Sequence, residues 1–225
     1  MSHNPDLITI VAIGGASASG KSRFAAQLKR HLQAHWPHRE VALIPEDAYY
    51  RDQQHLSFSQ RLQTNYDQPE AFEHALLAQH LWQLRQGEAI ELPAYNFTEH
   101  TRQPYTTPVG VPNVVLVEGI LVLSNPALRE VVDLCIYIDT PLDVCLQRRI
   151  RRDMAERGRT RESVIAQFET TVRPAFEQHI EPSRQYADVV VAGNGSVTSA
   201  IEHIASRIMA LQKPEQLNTT QEHAS

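Results

Sequence analysis

The stretch Leu7-Ile-Thr-Ile-Val-Ala-Ile13-Gly14-Gly15-Ala16-Ser17-Ala18-Ser19-Gly20-Lys21-Ser22 joins an apolar, β-branched run to residues at helical spacing, Phe24, Leu28 and Leu32. Gly15 to Ser22 matches G-x-x-x-x-G-K-[ST], and the strand before it and the helix after it are the context in which that pattern cradles phosphate. Glycines let the backbone curl so that successive N–H groups point inward, and the helix adds its positive N-terminal end. The loop Gly15, Ala16, Ser17, Ala18, Ser19, Gly20, Lys21 and Ser22 is therefore expected to bind a nucleoside triphosphate. Lys21 would neutralise the β and γ phosphates, and the Ser22 hydroxyl would face Mg²⁺, a hard cation that prefers oxygen.

Other apolar runs recur at Val41 to Ile44, Val114 to Val117, Leu134 to Ile138 and Val189 to Ala192. Continuous rather than alternating apolarity predicts parallel strands covered on both faces, a three-layer αβα unit. Helical spacing predicts helices over Lys21 to His35, Pro69 to Arg85, Pro141 to Glu156, Arg161 to Glu181 and Val197 to Leu211. Thr140 before Pro141 reads as a hydroxyl cap with proline at the first helical position, and Gly87 as a helix stop. Ile90 to Val111, with Pro93, Pro104 and Pro108, reads as a β-hairpin flap on the substrate side. One domain over residues 1–212 is expected, with a hairpin insertion at 90–111 and a lid at 148–161. Lys213 to Ser225 is polar and aperiodic and is expected to be a flexible tail.

With 225 residues and 42% hydrophobic composition the chain is long enough to bury a core, which rules out disorder as its main state. Its 21 Lys and Arg against 26 Asp and Glu give a net charge of −5, so no global field favours nucleic acid. Only Arg148 to Arg161 is locally basic, opposed there by Asp153 and Glu156. Cys135 and Cys145 have no metal or redox spacing and read as buried free thiols in a reducing cytoplasm. No run approaches the roughly 20 apolar residues of a membrane span.

A phosphate loop does not separate a kinase from an ATPase or a switch, so acceptor-side acids matter most. Asp47 follows Val41 to Ile44 across Pro45-Glu46, at the sheet's carboxyl edge, where a carboxylate can accept the proton of an attacking hydroxyl. Glu46 is its rival, and sequence position alone does not separate the two. Glu118, closing Val114 to Val117, is the candidate metal-side carboxylate, while Asp139 before Thr140-Pro141 reads as a helix cap.

The strings GGASASGKS (14–22), PEDAYYRDQQHLS (45–57), TNYDQPEAF (64–72), LPAYNFTEHTR (92–102), VVLVEGIL (114–121), RRIRRDMAERGR (148–159) and VRPAFEQHIEPSRQYADVVV (172–191) resemble, in order, the signatures of the uridine kinase (uridine-cytidine kinase) family in its bacterial form. The resemblance implies transfer of the γ-phosphate of ATP or GTP, with Mg²⁺, to the 5′-hydroxyl of uridine or cytidine in pyrimidine salvage. It favours Asp47 as base and assigns Asp67 to the ribose hydroxyls. Tyr50, Tyr95, Phe97 and His100 fall to the nucleoside pocket, and Arg149 and Gln167 to further nucleoside contacts. Arg152, Arg157 and Arg159 become a lid over the phosphates, with Arg159 also on the substrate side. A homotetramer and feedback inhibition by CTP or UTP are implied as well.

Blander roles stand beside these. Tyr95 and Phe97 could anchor the flap to the core, Asp67 could cap a helix starting near Pro69, and Arg148, Arg151 and Arg161 could be a solvated face. Ala192-Gly193-Asn194-Gly195 departs from the family pattern in lacking a basic residue near the donor base.

Overall fold

The computed structural model describes residues 8–212; the tail from Lys213 lies outside them. In chain order the elements are β1 (Thr9–Gly15), α1 (Lys21–His35), β2 (Val41–Pro45), a 3₁₀ turn (Glu46–Tyr49), α2 (Phe58–Arg61), a 3₁₀ turn (Pro69–Ala71), α3 (His74–Arg85), β3 (Ile90–Asn96) and β4 (Thr101–Val109). Then follow β5 (Val114–Glu118), α4 (Pro126–Arg129), β6 (Leu134–Asp139), α5 (Leu142–Glu156), α6 (Arg161–Gln167), α7 (Arg173–Ala175), β7 (Val189–Ala192) and α8 (Thr198–Leu211).

Five strands form a sheet of order β2-β5-β1-β6-β7, every pairing parallel. All seven residues of β1 are buried because this strand is central, and its side-chain alternation divides the core in two. Ile10 and Ala12 join Val115, Val117, Cys135 and Tyr137 under Leu77, Leu81 and Leu84 of α3. Val11 and Ile13 join Leu116, Ile136 and Ile138 under Phe24, Leu28 and Leu32 of α1 and Ile201, Ile204 and Ile208 of α8. Apolar side chains pointing to both faces are what makes the strands read as continuous runs, and the three-layer expectation holds. The β3–β4 hairpin is antiparallel, with a bulge between Pro93 and Tyr95. Cys135 and Cys145 are free and buried.

Four expectations are corrected. Pro69 to Arg85 is not one helix: Phe72 is extended and bridges Tyr50, with Glu73 N–H donating to the Tyr49 carbonyl at 2.8 Å and Arg51 N–H to that of Ala71 at 2.8 Å. These tertiary hydrogen bonds take over the backbone groups a continuous helix would use, and α3 starts at His74. Thr140 caps nothing, since its hydroxyl donates to the Ser19 carbonyl at 2.9 Å and α5 begins at Leu142 after Pro141. Asp139 likewise pairs with Arg184 at 3.0 Å instead of capping α5. Finally, the segment after α6 widens into π-helical turns at Phe168–Val172 and Phe176–Ile180. Pro174 brings no N–H to the regular ladder there, and the Thr170 and Thr171 hydroxyls donate to the carbonyls four residues back, at 2.8 and 2.9 Å.

Candidate active site

The loop between β1 and α1 turns through positive φ at Gly15, Ala18 and Gly20. A Cβ at Gly15 would come within 2.6 Å of the Ile138 carbonyl, so that glycine answers to close approach as well as to φ. The outer side of the loop is fastened from elements remote in sequence. The Ser19 carbonyl accepts from the Thr140 hydroxyl and from Arg148 Nη1, each at 2.9 Å, and Arg148 Nη2 reaches the Gly193 carbonyl at 3.0 Å. Arg148 is thus not a solvated face but a strut joining the phosphate loop to the turn after β7. Gly193 has no room for a side chain, because a Cβ there would come within 2.7 Å of the Ser19 carbonyl. That gives the departure at Ala192 to Gly195 a packing reason at this position. Arg149 Nη1 donates to Ser17 Oγ at 2.9 Å and Nη2 to Gln167 Oε1 at 3.0 Å.

In the 3₁₀ turn after β2, Glu46, Ala48 and Tyr49 are buried and Asp47 alone is exposed. Glu46 is fully buried; its Oε1 accepts from His74 Nε2 at 2.8 Å and its Oε2 from the Leu121 N–H at 2.9 Å. Both oxygens are committed to structure, and a Cβ on Gly119 would collide with this carboxylate. The two neighbouring acids differ in direction, Glu46 into the core and Asp47 outward.

Asp47 is exposed as a residue, yet its carboxyl is crowded by protein. That desolvation, with smaller contributions from Glu118 and Glu46, raises its pKa to about 6 against the opposing pull of Lys21 and a hydrogen bond from Tyr50. Lys21, Glu118, Asp47 and Tyr50 therefore meet at the carboxyl edge of the sheet, around the phosphate loop.

Beyond Asp47 lies an aromatic wall. Tyr50 stacks on Phe72 (4.3 Å between ring centroids) and meets Tyr66 and Tyr95, each at 5.2 Å. His100, at φ 54° in the turn between β3 and β4, stacks on Tyr66 at 4.9 Å. Burial, with Arg61 and Arg157 nearby, lowers the His100 pKa and favours the neutral ring. Phe97 is 54% exposed and reaches only Tyr95 among the rings of this wall, at 5.4 Å, so it stands at the rim. Sequence reasoning passed over Tyr66 and Phe72, although both lie inside TNYDQPEAF.

Asp67 is buried and caps no helix, since Gln68 takes the cap position of the turn at Pro69. Burial raises its pKa, opposed first by Arg149 and then by Lys21, Arg152 and Arg157, which puts it between the phosphate loop and the arginines.

Those arginines converge on Asp153, which is fully buried: Arg152 Nε lies 2.9 Å from its carboxylate, Arg149 Nε 3.6 Å, Arg157 Nη1 3.6 Å and Arg159 Nη1 3.5 Å. The Asp153 carbonyl also accepts the N–H groups of Arg157 and Arg159, at 3.1 and 3.2 Å, around Gly158 at φ 61°. Arg159 Nη1 also donates to Gln167 Oε1. Asp153 was read only as an opposing charge; its place amid arginines on either side in sequence was the available signal.

Among the described residues no group of three or more His, Cys, Asp or Glu side chains could hold a metal by itself. A hydroxyl at Ser22 and a carboxylate at Glu118 make a sparse, all-oxygen set, which suits a cation that completes its octahedron from phosphate oxygens and water. Among the described residues no helix is long and apolar enough to cross a membrane.

Residues 10–200 match the model of the phosphoribulokinase / uridine kinase family. A uridine kinase of Vibrio cholerae serotype O1 is 49% identical over 213 residues, covering 95% of this chain and all of the relative. One from Salmonella paratyphi B is 51% identical over 199 residues, covering 88% of this chain and 93% of its own. The solved phosphoribulokinase from Rhodobacter spheroides shares the fold at TM-score 0.62 with 16% identity, covering 84% of this chain and 74% of that one. A phosphate loop set in a parallel sheet, acids at its carboxyl edge and relatives this similar over nearly their whole length lead to one conclusion: the chain belongs to the phosphoribulokinase / uridine kinase family.

Proposed function

We propose that the protein is a uridine/cytidine kinase, transferring the γ-phosphate of ATP or GTP to the nucleoside 5′-hydroxyl to form UMP or CMP. The reading is carried by the meeting of Lys21, Glu118 and Asp47 at one sheet edge beside an aromatic wall and a buried acid, Asp67. About 50% identity to proteins named uridine kinase supports the same substrate class. The polypeptide binds triphosphate along Gly15 to Ser22, holds the base against Tyr50, Tyr95, Phe97 and His100, and fixes the ribose with Asp67, Arg149 and Gln167. Asp47 accepts the 5′-hydroxyl proton as that oxygen attacks. Arg152, Arg157 and Arg159 face the charge spread over the transferring phosphoryl group, where planar mobile donors are effective. Ser22 and Glu118 would hold Mg²⁺, which when bound neutralises charge on the β and γ phosphates. In this reading 90–111 is a substrate-side insertion and 148–161 a lid on a single kinase domain. Assembly as a homotetramer, inhibition by CTP or UTP and a cytoplasmic location complete the proposal.

Incubating the protein with MgATP or MgGTP and a nucleoside panel tests it: UMP and CMP are expected, and their absence overturns the assignment. Phosphorylation of ribulose 5-phosphate or pantothenate instead would move the protein to a sibling activity.

Two variants sharpen the site. Lys21→Ala is expected to reduce kcat by at least roughly 10²- to 10³-fold, the usual cost of deleting one preorganised charge at a transition state. Among the described residues the only other lysine is Lys29, eight residues further along α1, so no second lysine stands at the loop to substitute; near-normal turnover would remove the phosphate-loop assignment. His100→Tyr is expected to shift the ratio of uridine to cytidine use. A neutral imidazole can donate to a carbonyl or accept from an amino group, whereas a phenol is bulkier and carries one rotating hydroxyl. Steady-state kinetics giving an unchanged ratio would place His100 outside the base pocket.

A further inference from the structure

The turn that carries Asp47 is a four-residue 3₁₀ helix with no side-chain cap, a form whose own hydrogen bonds are poorly aligned. Something else must hold it, and α3 supplies two buried histidines facing it. His74, the first residue of α3, donates from Nε2 to Glu46 Oε1 at 2.8 Å, one residue before Asp47. His80 shares a 2.9 Å hydrogen bond through Nδ1 with the hydroxyl of Tyr49, two residues after it. Glu46 and Tyr49 are both fully buried, and His74 and His80 are 7% and 8% exposed. Glu46 Oε2 in turn receives the Leu121 N–H, so the same carboxylate ties the Asp47 turn to the loop that follows Glu118. His74 also lies parallel to Phe72, 5.2 Å away, and Phe72 stacks on Tyr50, which hydrogen-bonds Asp47.

We propose that His74 and His80 are positioning residues which, through Glu46 and Tyr49, clamp both ends of the turn and fix Asp47 relative to Glu118 and the phosphate loop. The inference rests on Asp47 being the base. Neither histidine touches the cleft group itself, so their effect should appear in kcat with little change in KM. A group displaced by about 1 Å can cost up to roughly 10²-fold in rate, and a clamp with a second attachment should lose less than that on removal of one.

The test pairs His74→Ala, and the milder Tyr49→Phe that deletes a single oxygen, with Asp47→Asn. Each clamp variant alone is expected to lower kcat by about 3- to 20-fold, with KM for uridine and for MgATP within about twofold of the parent. In the Asp47→Asn background the same variants should lower kcat no further, since nothing remains to be positioned; general damage to the fold would subtract equally in both backgrounds. His74→Gln, whose amide can still donate to Glu46, should recover most of the loss. Should His74→Ala fail to fold, Tyr49→Phe carries the same comparison. Unchanged kcat in the folded clamp variants, or an equal loss with and without Asp47, overturns the proposal while leaving Asp47 as base. If Asp47→Asn alone keeps full turnover, it is the base assignment that falls, and the positioning role with it.

Discussion

Asp47→Asn is expected to lower kcat by roughly 10²- to 10⁴-fold, the range that a general base contributes, while leaving KM for nucleoside and donor nearly unchanged. The amide keeps the shape of the side chain and loses its basicity. Glu46→Gln should behave differently, because Glu46 meets His74 and the Leu121 N–H and does not face the cleft. If Glu46→Gln shows the large loss and Asp47→Asn does not, the two roles must be exchanged.

The same substitution has a thermodynamic signature. The Asp47 pKa rises from 3.8 to about 6 on folding, so the folded state binds this proton more tightly than the unfolded chain. Below about pH 4 both states are protonated and the charge costs nothing; between about 4 and 6 the unfolded chain ionises first and the penalty grows; above 6 it is complete. Asp47→Asn should therefore raise Tm of the nucleotide- and metal-free protein at pH 8, with the advantage shrinking through pH 6 and vanishing near pH 4. A Tm difference independent of pH would remove the claim that the site holds this carboxylate against its solvation.

What could be read from the chain follows from how local the causes are. The strands, α1 and the phosphate loop depend on nearest-neighbour patterns: apolar runs set by burial on both faces, helical spacing of Phe24, Leu28 and Leu32, and glycines where φ is positive. The break at Phe72 was not legible, because it is made by a bridge to Tyr50. Thr140 and Arg148 bond the Ser19 carbonyl across 121 and 129 residues, and no local signal predicts that a cap-like threonine or a surface-like arginine will serve the loop instead. Adjacent acids are the sharpest case. Glu46 and Asp47 share chemistry and position, and only the handed 3₁₀ turn sends one into the core and the other into the cleft. Asp153 shows the converse, since its value lies in four arginines that the fold gathers around one carboxylate.

The second large effect is expected at Asp67, as discrimination against deoxyribonucleosides. Its helix-capping role has fallen away: Gln68 stands at the cap of the Pro69 turn, and the Asp67 N–H is occupied by Asn65 Oδ1 at 3.1 Å. The carboxyl is buried, with its pKa raised by desolvation and Arg149 as the leading opposing charge. A buried acid of this kind needs partners. In our reading the ribose hydroxyls donate to it, and a substrate lacking the 2′-hydroxyl leaves an acceptor unsatisfied at about 1 to 3 kcal/mol. Sites built around a substrate hydroxyl reject analogues without it by up to roughly 10⁴-fold, so kcat/KM for deoxycytidine should fall far below that for cytidine. Asp67→Asn offers one amide oxygen and an unwanted donor, and should both slow cytidine and narrow the gap. Comparing kcat/KM for the two nucleosides in parent and variant decides the matter, because equal discrimination in both proteins would assign the ribose to other residues.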